Sequence, residues 1–359
     1  MTLIPQEIFD RLPSAIIVVD DRRRVMHANR SAIDLIGNNA LNRDLALSLR
    51  HPVILDSLDA VLAGSTEQNG EITIPAPVSQ SFVFHAERIL DTPLSDGSFA
   101  TLVLDNITSA HKTEEMRASF VANVSHELRS PLTAIIGFIE TLQGPASDDA
   151  NARQRFLNIM FRESQRMARL IDGLLSLSRV EINEHIAPKD AVDVPRIIQN
   201  VMESLQPQAT KRGITLSLDA EDNTPVAIAD ADQLHQVFLN LIENAIKYGG
   251  EDNAVKVSTK PVDRVPGSAR PGLSVTIQDQ GPGIPKSLIP RLTERFYRID
   301  EARSSTAETG MSSTGLGLAI VKHIINRHRG HMTAQSEIGV GSTFTVFLPA
   351  HPDPASASR

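Results

Sequence analysis

The spacing of apolar residues changes several times along this chain, and each change marks an element. AIIVVD, from Ala15 to Asp20, is followed by a charged turn and VMHAN, which together predict a strand pair. RSAIDLIG predicts a short helix closed by Gly37, and HPVILDSLDAVLAG a second helix ending at Gly64. EITIPA, SFVFHAERIL and FATLVLDNIT then read as strands separated by Pro, Ser, Asp and Gly. From Phe120 the period lengthens. Phe120, Val124, Leu128, Leu132, Ile135, Ile139 and Leu142 recur every three or four positions, predicting one buried stripe on a helix.

Ile107 to Met116 leads into that helix from the last strand without a breaker. QGPASDDA, residues 143–150, ends it, and a second helix from Asn151 to about Ile182 repeats Phe156, Met160, Met167, Leu170, Leu174 and Leu177. Two such helices form an antiparallel hairpin, which buries too little alone; pairing two hairpins into a four-helix bundle would complete the core, so a homodimer is expected. Beyond Pro188 the expected elements are strand ITLSLD, helix DQLHQVFLNLIENAIKYGG, strands AVKVSTK and LSVTIQDQGPGIP, and a closing strand GSTFTVFLP.

Composition narrows the classes. The 359 residues suffice for two or three domains. With no Cys, disulfides and Cys-based metal sites or nucleophiles are excluded, and a formal charge of -8 argues against a nucleic-acid partner. The Arg22–Arg24 run is expected on a hairpin surface. No segment approaches 18 consecutive apolar residues, and the start lacks the shape of a signal peptide. The chain as given is therefore expected to be cytoplasmic, with membrane association only through an upstream anchor or a partner.

The candidate chemistry is spread over several stretches. His126 lies about 200° around the helix from Val124, away from the apolar stripe and beside Glu127, a placement that leaves its imidazole open to reaction. Ser130 follows one turn later, and Pro131 should bend the helix just past the histidine. Gln236, Asn240, Asn244 and Lys247 share one helical face opposite Val237, Leu241 and Ala245; amides and a lysine so arranged suit a metal-bridged polyphosphate, with Asn244 offering its carbonyl to Mg²⁺. Asp279 heads QGPGIP, where its carboxylate could accept from an exocyclic amine while Gly281 and Gly283 let backbone approach a flat ring. Residues 301–314 are small and polar, a lid running into GLGLAIVKHIINRHRG, whose helix start suits phosphate. No GxxxxGK[ST] occurs, which excludes a P-loop.

Taken together, LHQVFLNLIENAIKY, DQGPGI, ERFYRID, TGLGLAIVKHI and GVGSTF resemble the ATP-binding domain of histidine kinases, within the group shared with gyrase, heat-shock-90 and mismatch-repair ATPases. SHELRSPLTAIIGF resembles the phosphoacceptor helix of sensor histidine kinases, and LPSAIIVVDDRRRVMHANRSAIDLIG with LVLDNIT a PAS domain. The overall arrangement, including AVLAG and ETLQG, resembles that of phosphate-regulon sensor kinases. The fold implied is multidomain: an α+β PAS-like sensor domain (1–108), a dimerisation and phosphotransfer hairpin forming a dimeric four-helix bundle (109–185), an α/β-sandwich ATP-binding domain (186–350) and a disordered tail (351–359).

The resemblance implies the roles. His126 takes the phosphoryl group from ATP, Glu127 assists as base or orienter, and Asn240 and Asn244 surround the Mg²⁺–triphosphate, with Asn244 the direct ligand. Lys247 and Tyr248 face the nucleotide, Asp279 reads the adenine amine, and Phe296 and Arg298 lie in the segment preceding the lid, with Arg298 approaching the phosphates. Gly315 and Gly317 form the hinge of the lid, and Thr314 and Leu316 beside them count with the nucleotide-binding residues. The phosphoryl group would pass to an aspartate on a partner response regulator, in phosphate-starvation signalling. The PAS-like domain would take an unidentified ligand or regulatory protein; His27, His51 and His85 are expected to be structural or surface residues.

Two positions depart from the family pattern. Ser130 stands where threonine is frequent, keeping the hydroxyl on which phosphatase activity toward the partner would depend. Ser312 and Ser313 stand before Thr314 in place of a glycine pair, which bears on lid mobility. A non-catalytic ATP-binding scaffold remains an alternative. A gyrase-type ATPase is the other, although Asn240 occupies the place, four residues before Asn244, where those enzymes need a hydrolytic glutamate.

Overall fold

The computed structural model describes residues 6–75, 79–89, 94, 99–221, 223–250, 252–299 and 314–352. The chain divides into two compact units, Met1–Ala122 and Asn123–Arg359. The expected lid therefore lies outside the described residues except for Thr314, as does the expected tail beyond Pro352.

In the first unit, a short helix α1 (Gln6–Phe9) precedes β1 (Ala15–Val19) and β2 (Val25–Ala28). Strand β1 alternates buried and half-buried residues, which directs Ile17 and Val19 inward. The turn between β1 and β2 is held by the Asp20 carboxylate, which accepts from the Arg22 and Arg24 amides, both at 2.8 Å, and from the Arg24 guanidinium at 2.9 Å. Arg23 adopts a left-handed φ of 62° there and pairs with Asp59 at 2.7 Å. The arginine run is thus a pinned hairpin turn. Helices α2 (Arg30–Ile36) and α3 (Pro52–Ala63) follow, and β3 (Glu67–Ile74), β4 (Gln80–Arg88) and β5 (Ala100–Asn106) complete an antiparallel sheet ordered β2-β1-β5-β4-β3. Asn29 is fully buried and joins sheet to helix: its Oδ1 accepts from the Ile16 and Ala32 amides, both at 3.0 Å, and its Nδ2 donates to the Ser14 carbonyl. Ile17, Leu45, Ile54, Leu58, Phe84, Leu102 and Leu104 fill the interior. His85 is half-buried and lies 3.5 Å from Glu87, whereas His51 keeps a buried Nδ1 with no partner among the described residues.

Helix α4 (Thr108–Gln143) starts directly after β5; Asn106 accepts from the Thr108 amide and the Thr108 hydroxyl accepts from the Ser81 amide. The helix continues unbroken through Pro131, which is buried. After a short turn, Asp149 caps α5 (Ala150–Ile182) by accepting from the Asn151 and Ala152 amides. The two helices are joined by Phe138 stacked on Phe156 at 5.0 Å and by the Arg166–Glu127 pair at 2.9 Å. Within a single chain the stripe on α4 is only partly covered. Phe120, Val124, Leu128, Ile135 and Leu142 are half-buried, but Leu132 and Ile139 are 47% and 39% exposed. Ile136, Leu157, Phe161 and Leu175 are exposed as well. Two helices have only each other's narrow faces to pack against, so one flank of the stripe stays open.

The rest of the second unit is an α/β sandwich. Helices α6 (Val194–Lys211), α7 (Ala231–Tyr248) and α8 (Gly317–Arg327) lie over a sheet of β7 (Thr215–Ala220), β9 (Ala254–Val262), β10 (Gly272–Gln278), β11 (His331–Glu337) and β12 (Gly341–Pro349), ordered β11-β12-β10-β9-β7. Among the described strands of this sheet only β7 pairs in parallel, with β9. A small pair, β6 (Asp190–Val192) with β8 (Ala227–Ala229), sits beside it. Helix α6, absent from the elements expected above, buries Val194, Ile198, Val201, Leu205 and Ala209 at helical spacing and is capped by Asp193. Strands β6, β8 and β11 are likewise additions; β6 and β8 are three residues each, too short to carry a period of two.

Candidate functional site

Helix α7 starts where Asp230 accepts from the Gln233 amide, and it buries Leu234, Val237, Phe238, Leu241, Ile242, Ala245 and Ile246. The 3.6-residue repeat therefore turns Gln236, Asn240, Asn244 and Lys247 to the other face, where all four are half-buried. Gln236 is drawn away from a nucleotide role: its Oε1 accepts from the Ser176 hydroxyl of α5 at 2.9 Å. Asn240 has a buried Nδ2 with no hydrogen-bond partner among the described residues. An orphaned donor of that kind costs free energy unless a ligand or water satisfies it.

The glycine segments close round this face. A Cβ on Gly317 would stand 3.2 Å from the Asn240 Oδ1, so the start of α8 lies against Asn240. Gly315 has a φ of +70° and a Cβ there would stand 2.7 Å from the Phe296 backbone; its carbonyl accepts from the Phe296 amide at 2.9 Å. The segment before the lid and the segment after it are thus stitched together at Phe296 and Gly315. Thr314 is half-buried beside them, and Leu316 is fully buried, its side chain against α5 where a Cβ on Gly173 would meet it at 3.4 Å. Helix α8 has no side-chain cap, which leaves its first-turn amides available to an anion.

Asp279 follows β10 and is 6% exposed. Its Oδ1 accepts from the Gly281 amide at 2.9 Å and the Ser342 amide at 3.1 Å, so Oδ2 is the oxygen left to a ligand. Burial raises its carboxyl above the ordinary aspartate value, against the two backbone hydrogen bonds that lower it. Gly281 lies against the end of α7, where a Cβ would come within 2.2 Å of the Tyr248 carbonyl. Gly283 has a φ of +74° and packs on the β11–β12 turn, a Cβ there meeting the Glu337 carbonyl at 2.0 Å. These approaches bring Asp279 next to Tyr248, which is half-exposed with Lys247 over its ring at 5.1 Å. Burial, then Arg298, pull the Lys247 ammonium down to about 8, Arg212 and Arg169 adding and Glu243 opposing. Arg212 donates to the Ile246 and Lys247 carbonyls at 2.9 and 2.7 Å and so caps α7.

His126, Glu127 and Ser130 stand apart from this cluster, on α4. His126 and Ser130 are exposed. Glu127 carries the ion pair to Arg166, which also lies 3.8 Å from Glu163. Arg166, Arg212 and Ser342 join the site although no sequence motif marks them. Arginines are frequent along α5, and only folding shows which of them meets Glu127.

The second half of the hairpin is fastened to the sandwich by polar interactions. Arg295 pairs with Glu181 at 2.5 Å; His323 and Asn326 of α8 reach Glu184 at 2.9 and 3.1 Å. Burial by itself would raise the Glu184 carboxyl, but the bonds from His323 and Asn326 and the charges of His323 and His185 bring it below its ordinary value.

Three family models match the chain: the PAS domain over residues 6–71, the His Kinase A (phospho-acceptor) domain over 116–182, and the histidine kinase-, DNA gyrase B- and HSP90-like ATPase over 229–352. Phosphate regulon sensor protein PhoR of Pseudomonas aeruginosa is 33% identical over 351 residues, covering 96% of this chain and 74% of its own length. Sensor-like histidine kinase SenX3 of Mycolicibacterium smegmatis is 33% identical over 98% of this chain and 87% of its own. The chain is a sensor histidine kinase.

Sensor protein kinase WalK of Staphylococcus saprophyticus is 32% identical over 95% of the kinase, which spans 54% of that relative's length. Among solved structures, histidine kinase ThkA in complex with response regulator protein TrrA matches 99% of the kinase with a TM-score of 0.50 at 21% identity, a likeness of fold. The PAS, hairpin and ATPase parts expected from the sequence are all present, and the kinase binds ATP as its phosphoryl donor. No helix among the described residues is long and apolar enough to cross a membrane.

The site also fits Mg²⁺. No group of three His, Cys, Asp or Glu forms a metal cage among the described residues. The half-buried amide of Asn244, beside the unsatisfied Asn240, suits an ion that arrives already bound to phosphate oxygens and keeps much of its water.

Proposed function

We propose that this kinase transfers the γ-phosphoryl group of ATP to His126 and from there to an aspartate on a separate response regulator. The observation that carries the reading is the joining of two parts in one unit: an exposed histidine on α4, and an ATP site whose Leu316 packs on the partner helix α5. In the first step a neutral imidazole nitrogen forms the new N–P bond as the bond from the γ-phosphorus to the bridging oxygen breaks, and ADP leaves with that electron pair. The imidazole proton passes to Glu127, whose pairing with Arg166 holds the carboxylate in place. Asp279 orients the adenine through Oδ2, with Gly281 and Gly283 admitting the ring; Asn240 and Lys247 line the phosphates, with Tyr248, Phe296 and Arg298 at their edge. Gly315 and Gly317 would hinge the lid, with Thr314 and Leu316 beside them at the nucleotide. Asn244 would hold Mg²⁺, which when bound offsets charge on the transferring phosphate.

The open flank of the hairpin, with Leu132, Ile136, Ile139 and Phe161 exposed, is the homodimer face. ThkA, a histidine kinase of similar fold, is described in complex with a response regulator protein, which supports a receiver as partner; the hairpin beside His126 is where it would dock. Phosphatase activity toward that receiver would use Ser130. The phosphate-starvation role is supported by the 33% identity to PhoR. The PAS-like domain would take its input from an unidentified ligand or regulatory protein.

The test is autophosphorylation with γ-labelled ATP and Mg²⁺, wild type against His126→Ala. Acid-labile, alkali-stable label present only in wild type is expected. Bound ATP with no label in either chain would return the scaffold reading, and steady ATP hydrolysis without label the gyrase-type one.

A further inference from the structure

Helix α5 runs across the nucleotide cluster in a register fixed by two pairings. Ser176 bonds Gln236, and one turn earlier Gly173 meets Leu316, next to Gly317 and Asn240. Going towards the start of α5 therefore means going towards the end of α7. Arg169 is four residues before Gly173 and seven before Ser176, hence on the same face of the helix. At 1.5 Å per residue it lies roughly 10 Å from Ser176, while Asn244 lies about 12 Å along α7 from Gln236. Side chains on a helix lean towards its N-terminus, which aims Arg169 onward from Asn244 towards Lys247. Its charge is accordingly among those felt by the Lys247 ammonium.

The neighbouring arginine of α5 is already occupied: Arg166 pairs with Glu127 and Glu163. Arg212 spends its guanidinium on the carbonyls that end α7. Arg169 is exposed and forms no ion pair among the described residues. The charges of Arg298, Arg212 and Arg169 act against the Lys247 ammonium, and Glu243 opposes them. Such a set of charges is repulsive until a polyanion enters it, and Lys247 and Arg298 come from the sandwich while Arg169 comes from the hairpin.

We propose that Arg169 completes the ATP site from the hairpin, donating to the terminal phosphate that Lys247 and Arg298 approach from the other side. This rests on the nucleotide-site reading above. Its consequence is a clamp that senses the γ-phosphate: ATP bridges sandwich and hairpin through Arg169, and ADP, which lacks that group, does not. By reciprocity, whatever affinity Arg169 adds to ATP is also added to the packing of α5 on α8.

The experiment is calorimetric titration of the full chain with Mg²⁺ and either the β,γ-imido analogue of ATP or ADP, comparing wild type, Arg169→Gln and Arg169→Lys. Arg169→Gln should weaken the triphosphate about tenfold and leave ADP within about twofold, as expected when one charge-assisted hydrogen bond is removed. Arg169→Lys should recover most of the affinity. Hydrogen exchange should show residues 173–180 better protected by the analogue than by ADP in wild type only. Equal losses for both nucleotides, or none for either, would overturn the proposal. A wild-type chain that binds neither nucleotide would overturn the site reading itself and the clamp with it.

Discussion

Lys247 offers the most direct report on the nucleotide site, because its charge is unsettled without a ligand. In the free chain its ammonium is brought from the ordinary 10.5 to about 8, chiefly by burial and by Arg298. A triphosphate alongside favours the charged form, so the bound value lies above the free one. The complex then holds more protons than the free chain wherever pH exceeds about 8, and affinity must fall as pH rises through that point. The free lysine is roughly nine-tenths charged at pH 7 and about one-tenth at pH 9, so affinity for the Mg²⁺ complex of the imido analogue should drop about tenfold across that interval. A lysine at its ordinary value would give almost no change. Titration in two buffers of different ionisation enthalpy measures the same event independently: uptake should approach one proton at pH 9 and nearly vanish at pH 7. Lys247→Arg, permanently charged, should bind with a flat profile. A flat wild-type profile, or an equal slope in the arginine variant, would refute the reasoning.

Other consequences can be checked on the same material. Gly283→Ala places a Cβ at a φ of +74° and 2.0 Å from the Glu337 carbonyl, a clash with backbone that no rotamer relieves; a loss of about 3 kcal/mol is expected in urea unfolding. Asp279→Asn keeps an Oδ1 acceptor for the Gly281 and Ser342 amides but puts an amide donor where Oδ2 would face the adenine amine. ATP affinity should fall about 10- to 100-fold with little change in Tm, and unchanged binding would dismiss the adenine role. Glu184→Gln tests the fastening of α5 to α8. The Glu184 carboxyl lies below its ordinary 4.5 in the folded chain, so its contribution is present above that pH and lost as pH falls through the folded value. Wild type should therefore exceed the variant by about 1 kcal/mol or less at pH 7, with the difference shrinking as pH falls below the ordinary glutamate range.

The chemistry-bearing residues are legible in the sequence because their spacing is constrained locally. Asn240, Asn244 and Lys247 share a face through the 3.6-residue repeat alone, and Gly283 and Gly315 occupy backbone conformations that side chains rarely adopt. His126 stands clear of the apolar stripe for the same local reason. Helix α6 carries a comparable local signal, with Asp193 at its cap and apolar residues at Val194, Ile198, Val201 and Leu205, but no chemistry-bearing motif that would single it out.

Tertiary structure decided what those residues touch. Arg166 is 39 residues from Glu127, and Ser342 is 63 from Asp279; no periodicity connects positions so far apart. Gln236 fits the amide row by spacing, yet folding hands it to Ser176. The stripe on α4 is helical by its period, but whether Leu132 and Ile139 are covered depends on surfaces that one hairpin does not possess. Local periodicity specifies which face a residue occupies. Packing specifies what that face meets, and at this site the answer comes from α5, a helix whose own sequence carries no nucleotide motif.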